Sequence, residues 1–236
     1  MLRNLLLLLT ASIFSIAYTS GQDVMISQYV ETNSGTTPKG IEVWNNTGSD
    51  IDLSTSNLVI NLGRNGGSCS EEVTINSGIL ADGQVWVIGT SDLTTYAVNN
   101  GSDLSGTTTY GFTFNGDDAL SVESGGTLVD MFANCGTDPG SSWDGSGVST
   151  EGQNIQLKNT ITSGNPSGFT DPSTRFETVS EDPVGAGGLE GFGSKGDVMP
   201  VQWLSFSADK TNAGVELNWR VAEEVNVEKY IVERSS

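Results

Sequence analysis

The segment Ala119-Leu-Ser-Val-Glu-Ser-Gly-Gly-Thr-Leu-Val-Asp-Met-Phe132 decides the fold class of this chain. Two short apolar runs, 119–122 and 127–132, flank a Ser-Gly-Gly turn. Glycine reaches the positive φ angles that tight turns between antiparallel strands require, so the segment predicts a β-hairpin. The run Phe112-Thr-Phe114, joined to Ala119 by Asn115-Gly-Asp-Asp118, predicts a second hairpin directly before it.

Similar short runs recur on both sides of this segment, separated by Gly, Asn, Asp and Ser. Val85-Trp-Val-Ile88 is apolar on both faces and predicts a central, fully buried strand. About nine strands at this spacing, without a convincing helical period after residue 21, predict an all-β fold, an antiparallel β-sandwich or barrel. The further predicted strands of this region are Val24–Val30, Ile41–Trp44, Leu58–Leu62, Val73–Ile75, Asn154–Lys158 and Thr174–Val179.

Composition excludes several classes of function. The 236 residues include no histidine, which rules out a Ser-His-Asp triad, a His-ligated catalytic zinc and an imidazole general base. Ten basic residues stand against 29 acidic ones, a net charge of −19 that opposes direct binding to nucleic acid. An enzyme built on this chain would depend on carboxylates.

The first 21 residues resemble a secretory signal peptide. Arg3 supplies a positive start, an apolar run follows, and Thr19-Ser-Gly21 is a small-residue exit, so we expect cleavage before Gln22. The alternative, a membrane-spanning helix, would need a longer apolar run. Removal of this segment leaves nine basic against 29 acidic residues, a net charge of −20. We therefore expect a secreted or cell-surface protein with no membrane span.

Two cysteines, Cys69 and Cys135, lie in turn-like stretches rich in Gly and Ser. Export to an oxidising compartment favours a disulfide between them. The alternative is two independent free thiols.

The composition changes after the last predicted strand of the sandwich. Residues 185–198 are rich in glycine and predict a linker. Residues 199–236 contain three alternating segments, at Val201–Ala208, Val215–Trp219 and Tyr230–Glu233, which predict the truncated start of a second β-domain.

Several stretches together resemble the bacterial, secreted branch of the lamin-tail domain family over roughly residues 23–160. The most specific are Asn115-Gly-Asp-Asp-Ala119 and Gly136-Thr-Asp-Pro-Gly-Ser-Ser-Trp143, and the others are Ile26–Glu31, Lys39–Asn45, Leu80–Ile88 and Val129–Asp130. The resemblance implies an immunoglobulin-like β-sandwich, which we place at residues 22–184. It also implies a non-catalytic accessory module, since the family has no catalytic residues.

The C-terminal part is similar to a fibronectin-III-like module found before the sorting domain in cargo of the bacterial type IX secretion route. The residues that carry this similarity are Met199–Phe206, Val215–Trp219 and Val232–Ser235. The sorting domain itself is not in this sequence.

Two sets of residues are candidates for a site. The carboxylates of Asp117 and Asp118 could hold a calcium ion together with Asp138 or Asp144. The alternative is a hairpin turn, in which Asn, Gly and Asp are used because they tolerate the backbone angles of a turn. Trp44 and Trp143 are candidates for an aromatic ligand surface. For Trp143, packing over a loop is favoured over contact with a ligand. We expect Trp86 to belong to the core.

We therefore expect a binding or adhesion module with no enzymatic activity and no required cofactor, calcium being the candidate ion. Its partner would be an extracellular polymer or a surface protein rather than nucleic acid. The alternative is a carboxylate-based hydrolase or a calcium-dependent carbohydrate-binding module.

Overall fold

The computed structural model describes residues 24–32, 37–195, 203–211 and 214–221. The expected signal peptide, residues 196–198 of the expected linker and the predicted strand at 230–233 lie outside these ranges. Among the residues described, no helix is both long and apolar enough to cross a bilayer.

The described residues are mostly extended, in sixteen strands and a ten-residue helix, with two short 3-10 helices at Pro172–Thr174 and Ala186–Leu189. The elements are, in chain order, β1 (Val24–Val30), β2 (Gly40–Asn45), β3 (Ile51–Asp52), β4 (Leu58–Gly63), β5 (Ser70–Ile75), β6 (Ile79–Leu80), β7 (Val85–Gly89), α1 (Ser91–Asn100), β8 (Leu104–Thr109), β9 (Ala119–Ser124), β10 (Thr127–Phe132), β11 (Asp144–Gly145), β12 (Val148–Ser149), β13 (Asn154–Leu157), β14 (Phe176–Ser180), β15 (Trp203–Thr211) and β16 (Gly214–Val221).

Two sheets form the body of the protein. A six-stranded sheet has the order β14-β13-β1-β2-β7-β8, and a four-stranded sheet has the order β10-β9-β4-β5. Apolar side chains from both sheets belong to one buried cluster, as Ile41 and Val43 of β2 do with Ile60 of β4 and Leu120 of β9. The all-β sandwich is confirmed, and so is the hairpin at 119–132, which is β9 and β10.

The six-stranded sheet is covered on its other face as well. Val30 of β1 and Val87 of β7 lie in a second buried cluster with Leu93 and Ala97 of α1. Coverage on both faces explains why every residue of β1 and β7 is buried. The full burial predicted for residues 85–88 is therefore confirmed, although β7 lies next to the edge strand β8 rather than at the centre of the sheet.

Helix α1 and the strand after it correct the prediction of a helix-free, purely antiparallel fold. The chain leaves β7, forms α1 and returns as β8, which pairs with β7 in parallel. A parallel neighbour requires a crossover connection, and a helix commonly provides one. The inward face of α1 consists only of Leu93, Thr94 and Ala97, so the sequence carries little helical periodicity.

The run Phe112-Thr-Phe114 corrects the second predicted hairpin. These residues have no strand partner, although Phe112 and Phe114 are 4% and 1% exposed. Their rings pack at 5.1 Å, and Phe114 stacks on Tyr29 of β1. An irregular segment that buries aromatic rings has the same local pattern as a short strand, which explains the error.

Residues 185–195, here called the C-terminal strap, differ from the linker expected at 185–198. Leu189 and Phe192 are buried in the cluster beneath α1. Three buried polar side chains of the six-stranded sheet also bind the strap's backbone. The Gln28 amide donates to the Glu190 carbonyl at 2.7 Å, Asn154 donates to Gly188 at 2.9 Å, and Glu42 Oε2 accepts from the Gly193 N–H at 2.7 Å. The packed structure therefore continues to Lys195.

The strap predicts a pH dependence of stability through Glu42. Burial raises the pKa of this carboxyl from 4.5 to about 8, against the opposing effects of the Ser27 and Gly193 hydrogen bonds and of Lys195. The folded state therefore holds a proton on Glu42 between these two values and the unfolded state does not. The contribution of Glu42 to stability is accordingly complete below pH 4.5 and is lost as the pH rises toward 8. The shift corresponds to roughly 3–5 kcal/mol over this pH range, and we expect Glu42→Gln to remove that loss.

Urea unfolding of the parent and of Glu42→Gln over this pH range measures the effect. Glu177→Gln is the matched control, since Glu177 lies exposed on β14. Equal pH dependence in the parent and in Glu42→Gln would contradict this account of the strap.

Candidate functional site

The two most specific stretches of the sequence meet at one end of the four-stranded sheet. In the sheet register Gly63, at the end of β4, pairs with Ala119, at the start of β9. Phe132, at the end of β10, pairs with Leu120. The loops that follow β4, precede β9 and follow β10 consequently leave the sheet side by side. We call residues 64–69, 113–118 and 133–143 the loop cluster.

A disulfide ties this loop cluster together. Cys69 is bonded to Cys135, with their Cα atoms 5.4 Å apart, which confirms the predicted pairing. Beside it, the Gly136 N–H donates to the Gly67 carbonyl at 2.9 Å. The bond joins the segment entering β5 to the segment leaving β10, the two edge strands of this sheet.

Asp118 fastens two of the loops through their backbone. Its Oδ1 accepts from the Asn65 N–H at 2.7 Å, and its Oδ2 accepts from the Asn115 N–H at 3.0 Å. Asn65 and Gly66 both adopt positive φ, at 48° and 73°, so this turn needs residues that tolerate the left-handed region. Asp118 therefore supports a turn through hydrogen bonds to backbone N–H groups, which agrees with the turn interpretation of the Asn115–Ala119 segment.

Asp117 lies beside it in a different situation. Its side chain is buried, the residue being 5% exposed, and Oδ1 has no hydrogen-bond partner among the residues described. Burial raises the pKa of this carboxyl, and the negative charges of Asp118 and Asp138 raise it further, whereas hydrogen bonds from its own backbone N–H and from the Asn115 side chain oppose the rise. An unpaired buried carboxylate oxygen is costly, and such atoms are rare in folded proteins.

Asp138 approaches the same turn from the third loop. A side chain on Gly66 would come within 2.7 Å of the Asp138 Cβ, so the two backbones are in close contact. Asp138 itself is exposed, and its Oδ1 accepts from the Gly140 N–H at 2.8 Å. The Asn65–Gly66 turn thus contacts Asp118 and Asp138, and Asp117 directly precedes Asp118 in its loop. Within the described ranges, no three acidic or cysteine side chains form a ready-made metal-ligand group.

Asp144, the further acid considered for this site, is engaged elsewhere. Its Oδ2 accepts from the Ser142 hydroxyl at 2.6 Å, and the residue is exposed in the hairpin of β11 and β12. It has no described contact with the other three acids.

Trp143 is buried, as its packing over a loop predicts, and so it does not belong to an exposed ligand surface. The residue is 3% exposed and belongs to the main core. Its backbone N–H donates to Thr150 Oγ1 at 2.9 Å, and the Thr150 hydroxyl donates to the Gly116 carbonyl at 2.5 Å. Trp143 therefore packs beneath the Asp117 loop, and its Nε1 has no partner in the described part of the chain.

Trp44, the other candidate aromatic, lies away from the loop cluster on β2. It is half-buried, its Nε1 donates to the Gly83 carbonyl at 3.1 Å, and the Lys195 ammonium sits 4.9 Å from the ring centroid. The strap thus partly covers the ring with a cation. Trp86 is a core residue, as expected, at 8% exposed.

Two buried ion pairs were not predicted from the sequence. Asp130 on β10 accepts from the N–H groups of Ile26 and Asn165, at 2.9 and 2.7 Å, and lies 3.4 Å from Arg175. Burial raises the pKa of Asp130, and Arg175 opposes that shift. Glu31 lies 3.4 Å from Lys39 and accepts from the Gly152 N–H at 2.8 Å.

A polar surface cavity of about 450 Å³ lies near the β9–β10 turn. Side chains with hydroxyl groups and two carboxylates dominate its lining. The hydroxyls of Ser49, Ser56, Ser124 and Thr127 make no hydrogen bond within the described ranges, and Asp50 and Asp52 stand beside them. Such a lining suits a ligand that is itself rich in hydroxyl groups.

No family model, no curated protein and no solved structure matches this chain.

The backbone role of Asp118 predicts a large effect of its removal. Asp118→Ala leaves the N–H groups of Asn65 and Asn115 without their acceptor, so we expect a loss of about 2–4 kcal/mol in the free energy of unfolding. Asp118→Asn keeps one acceptor oxygen and should lose less. Chemical denaturation measures both, and Asp144→Ala, an exposed acid in the next hairpin, should change stability by no more than about 0.5 kcal/mol. Equal losses at 118 and 144 would contradict the assignment.

The disulfide predicts a dependence on reductant. Opening a loop that joins residues 66 apart should cost about 2–4 kcal/mol, because the unfolded chain regains conformational freedom. Denaturant unfolding with and without reductant measures this loss. The double variant Cys69→Ala/Cys135→Ala should be insensitive to reductant, and an equal response in the variant would show that the reductant acts elsewhere.

Proposed function

We propose that this chain is a secreted, non-catalytic β-sandwich of the lamin-tail type that acts as an accessory binding or adhesion module. The observation that supports the proposal is that its buried acidic side chains bind backbone groups of the chain itself. Glu31, Glu42, Asp118 and Asp130 each accept a hydrogen bond from a backbone N–H of a distant segment. These acids hold the chain together.

Carboxylate-based hydrolysis needs a different arrangement. In glycoside hydrolysis, two carboxyl groups face the scissile bond across about 5–9 Å of open cleft, and one of them exchanges a proton with the substrate. An acid that is buried and bonded to backbone N–H groups is poorly placed to reach a substrate. The four acids above are therefore better suited to a scaffold than to catalysis, which favours the binding module over the hydrolase.

Export is the second part of the proposal. The signal-like residues 1–21 and the Cys69–Cys135 disulfide both fit an oxidising compartment outside the cytoplasm. The similarity of the C-terminal segment to cargo of the type IX route adds a cell-surface destination. A partner there would be an extracellular polymer or a surface protein, since the net charge of −19 opposes direct contact with nucleic acid.

Carbohydrate binding is the second candidate function. The polar cavity near the β9–β10 turn favours it, because its free hydroxyls and carboxylates match the alternating donors and acceptors of a sugar. A polysaccharide would then be the extracellular polymer in question.

Assays of the purified protein on polysaccharides, phosphoesters and nucleic acids test the proposal. We expect no turnover, no retention on duplex DNA, and binding to insoluble polysaccharide or to the producing cell's surface. Asp117→Ala serves as a control for a hidden carboxylate catalyst. Robust turnover that this substitution abolishes would overturn the non-catalytic assignment in favour of the hydrolase.

The carbohydrate candidate has its own test. Ser124→Ala/Thr127→Ala removes two free hydroxyls from the cavity wall and should weaken retention on the polysaccharide. Ser167→Ala is the matched control, because Ser167 is exposed and lies outside the cavity lining. Equal retention by all three proteins would place the binding surface elsewhere.

A further inference from the structure

The buried carboxylate of Asp117 is the strongest unexplained feature of the described structure. Its Oδ1 is excluded from solvent and has no partner, whereas the neighbouring Asp118 satisfies both of its oxygens. The negative charges of Asp118 and Asp138 act on Asp117 as well. In a chain with 29 acids and ten bases, no described cation is paired with any of these three side chains.

Three occupants could relieve this arrangement, namely a proton, a water molecule or a cation. A proton or a water would satisfy Oδ1 alone, without any direct effect on the charges of Asp118 and Asp138. A cation would satisfy Oδ1 and offset all three charges together. The exposed position of Asp138 at the rim also leaves this side of the loop cluster open to an ion from solvent.

We infer that the loop cluster binds a calcium ion, with Asp117 as its buried ligand and Asp138 as its ligand at the surface. Asp118 holds the Asn65 and Asn115 backbone in place around the ion. This inference is independent of the proposed binding function, because an ion here would stabilise the loops whatever the protein binds.

The donor chemistry selects calcium among the common metals. The sequence has no histidine, and both cysteines are consumed in the disulfide, so nitrogen and thiolate ligands are absent. Oxygen donors of mixed kind suit Ca²⁺, which accepts 6–8 carboxylate, carbonyl and water oxygens in flexible geometry. With only two carboxylates proposed as ligands, carbonyls and waters complete the shell. Such a site should be weak, with a Kd of about 0.1–1 mM, as in other extracellular modules.

The ion would complete a cross-link that the disulfide begins. Asp117 belongs to the loop before β9 and Asp138 to the loop after β10, while Cys135 ties that second loop to Cys69. A bound ion would therefore join the one loop of the cluster that the disulfide does not reach.

Calcium titration of the full chain by calorimetry, with thermal unfolding in chelator and in millimolar CaCl₂ or MgCl₂, tests the inference. We expect binding heat and a rise in Tm with calcium, with a much smaller rise for magnesium. Asp117→Asn keeps the shape and removes the charge, so it should weaken binding about tenfold or more. In chelator the same variant should be at least as stable as the parent, because the buried negative charge beside Asp118 and Asp138 is gone, and this result shows that the variant is folded.

Asp138→Asn should weaken calcium binding as well, while Asp182→Asn, an exposed acid after β14, is the matched control and should not. Absence of both binding heat and a calcium-dependent Tm shift in the parent would overturn the inference. Equal weakening by Asp117→Asn and Asp182→Asn would also overturn it, because it would show that calcium responds only to the overall charge.

Discussion

The carboxylate of Asp130 is the interaction on which the sandwich depends. It lies on β10 of the four-stranded sheet and accepts the N–H of Ile26 on β1, the central strand of the other sheet. The pairing of β1 with β2 shifts register directly after Ile26, and that of β10 with β9 shifts next to Asp130. These two irregularities turn backbone and side chain toward each other across the core, and a β-bulge commonly re-aims groups in this way. Arg175 and the Asn165 N–H complete the shell around the buried charge.

Hydrogen bonds from a backbone N–H to a buried acidic side chain recur at several glycine-rich loops. Glu42 binds the strap through Gly193, Glu31 binds the turn at Gly152, and Asp118 binds Asn65. Loops of this composition lose much conformational entropy on folding and carry many backbone N–H groups that need an acceptor. A carboxylate accepts such bonds strongly, so an acidic chain can order irregular segments with few basic residues.

The sequence predicts the regular part of this fold well and the irregular part poorly. Strands β1, β7, β9 and β10 follow from apolar runs bounded by Gly and Asp, because local periodicity and turn residues determine them. Helix α1 is not predictable from periodicity, because its buried face holds only Leu93, Thr94 and Ala97.

For the candidate site, spacing and composition identify the acidic residues and predict the pairing of the two cysteines. The distinct roles of Asp117 and Asp118 depend on contacts with Asn65, more than 50 residues away, and Trp143 lies in a Gly/Ser loop that conceals its burial.

The disulfide and the Asp118 hydrogen bonds hold the loop cluster next to the aromatic core. Tyr29 and Phe132 stack in the core with ring centroids 4.4 Å apart, and the disulfide and Asp118 fix the loops directly above Phe132. Loops held in this way retain little conformational freedom, so little further conformational entropy is lost when they bind an ion. The strap applies the same principle at the C-terminal side, where Leu189, Phe192 and the Glu42 bond hold the chain against the six-stranded sheet as far as Lys195.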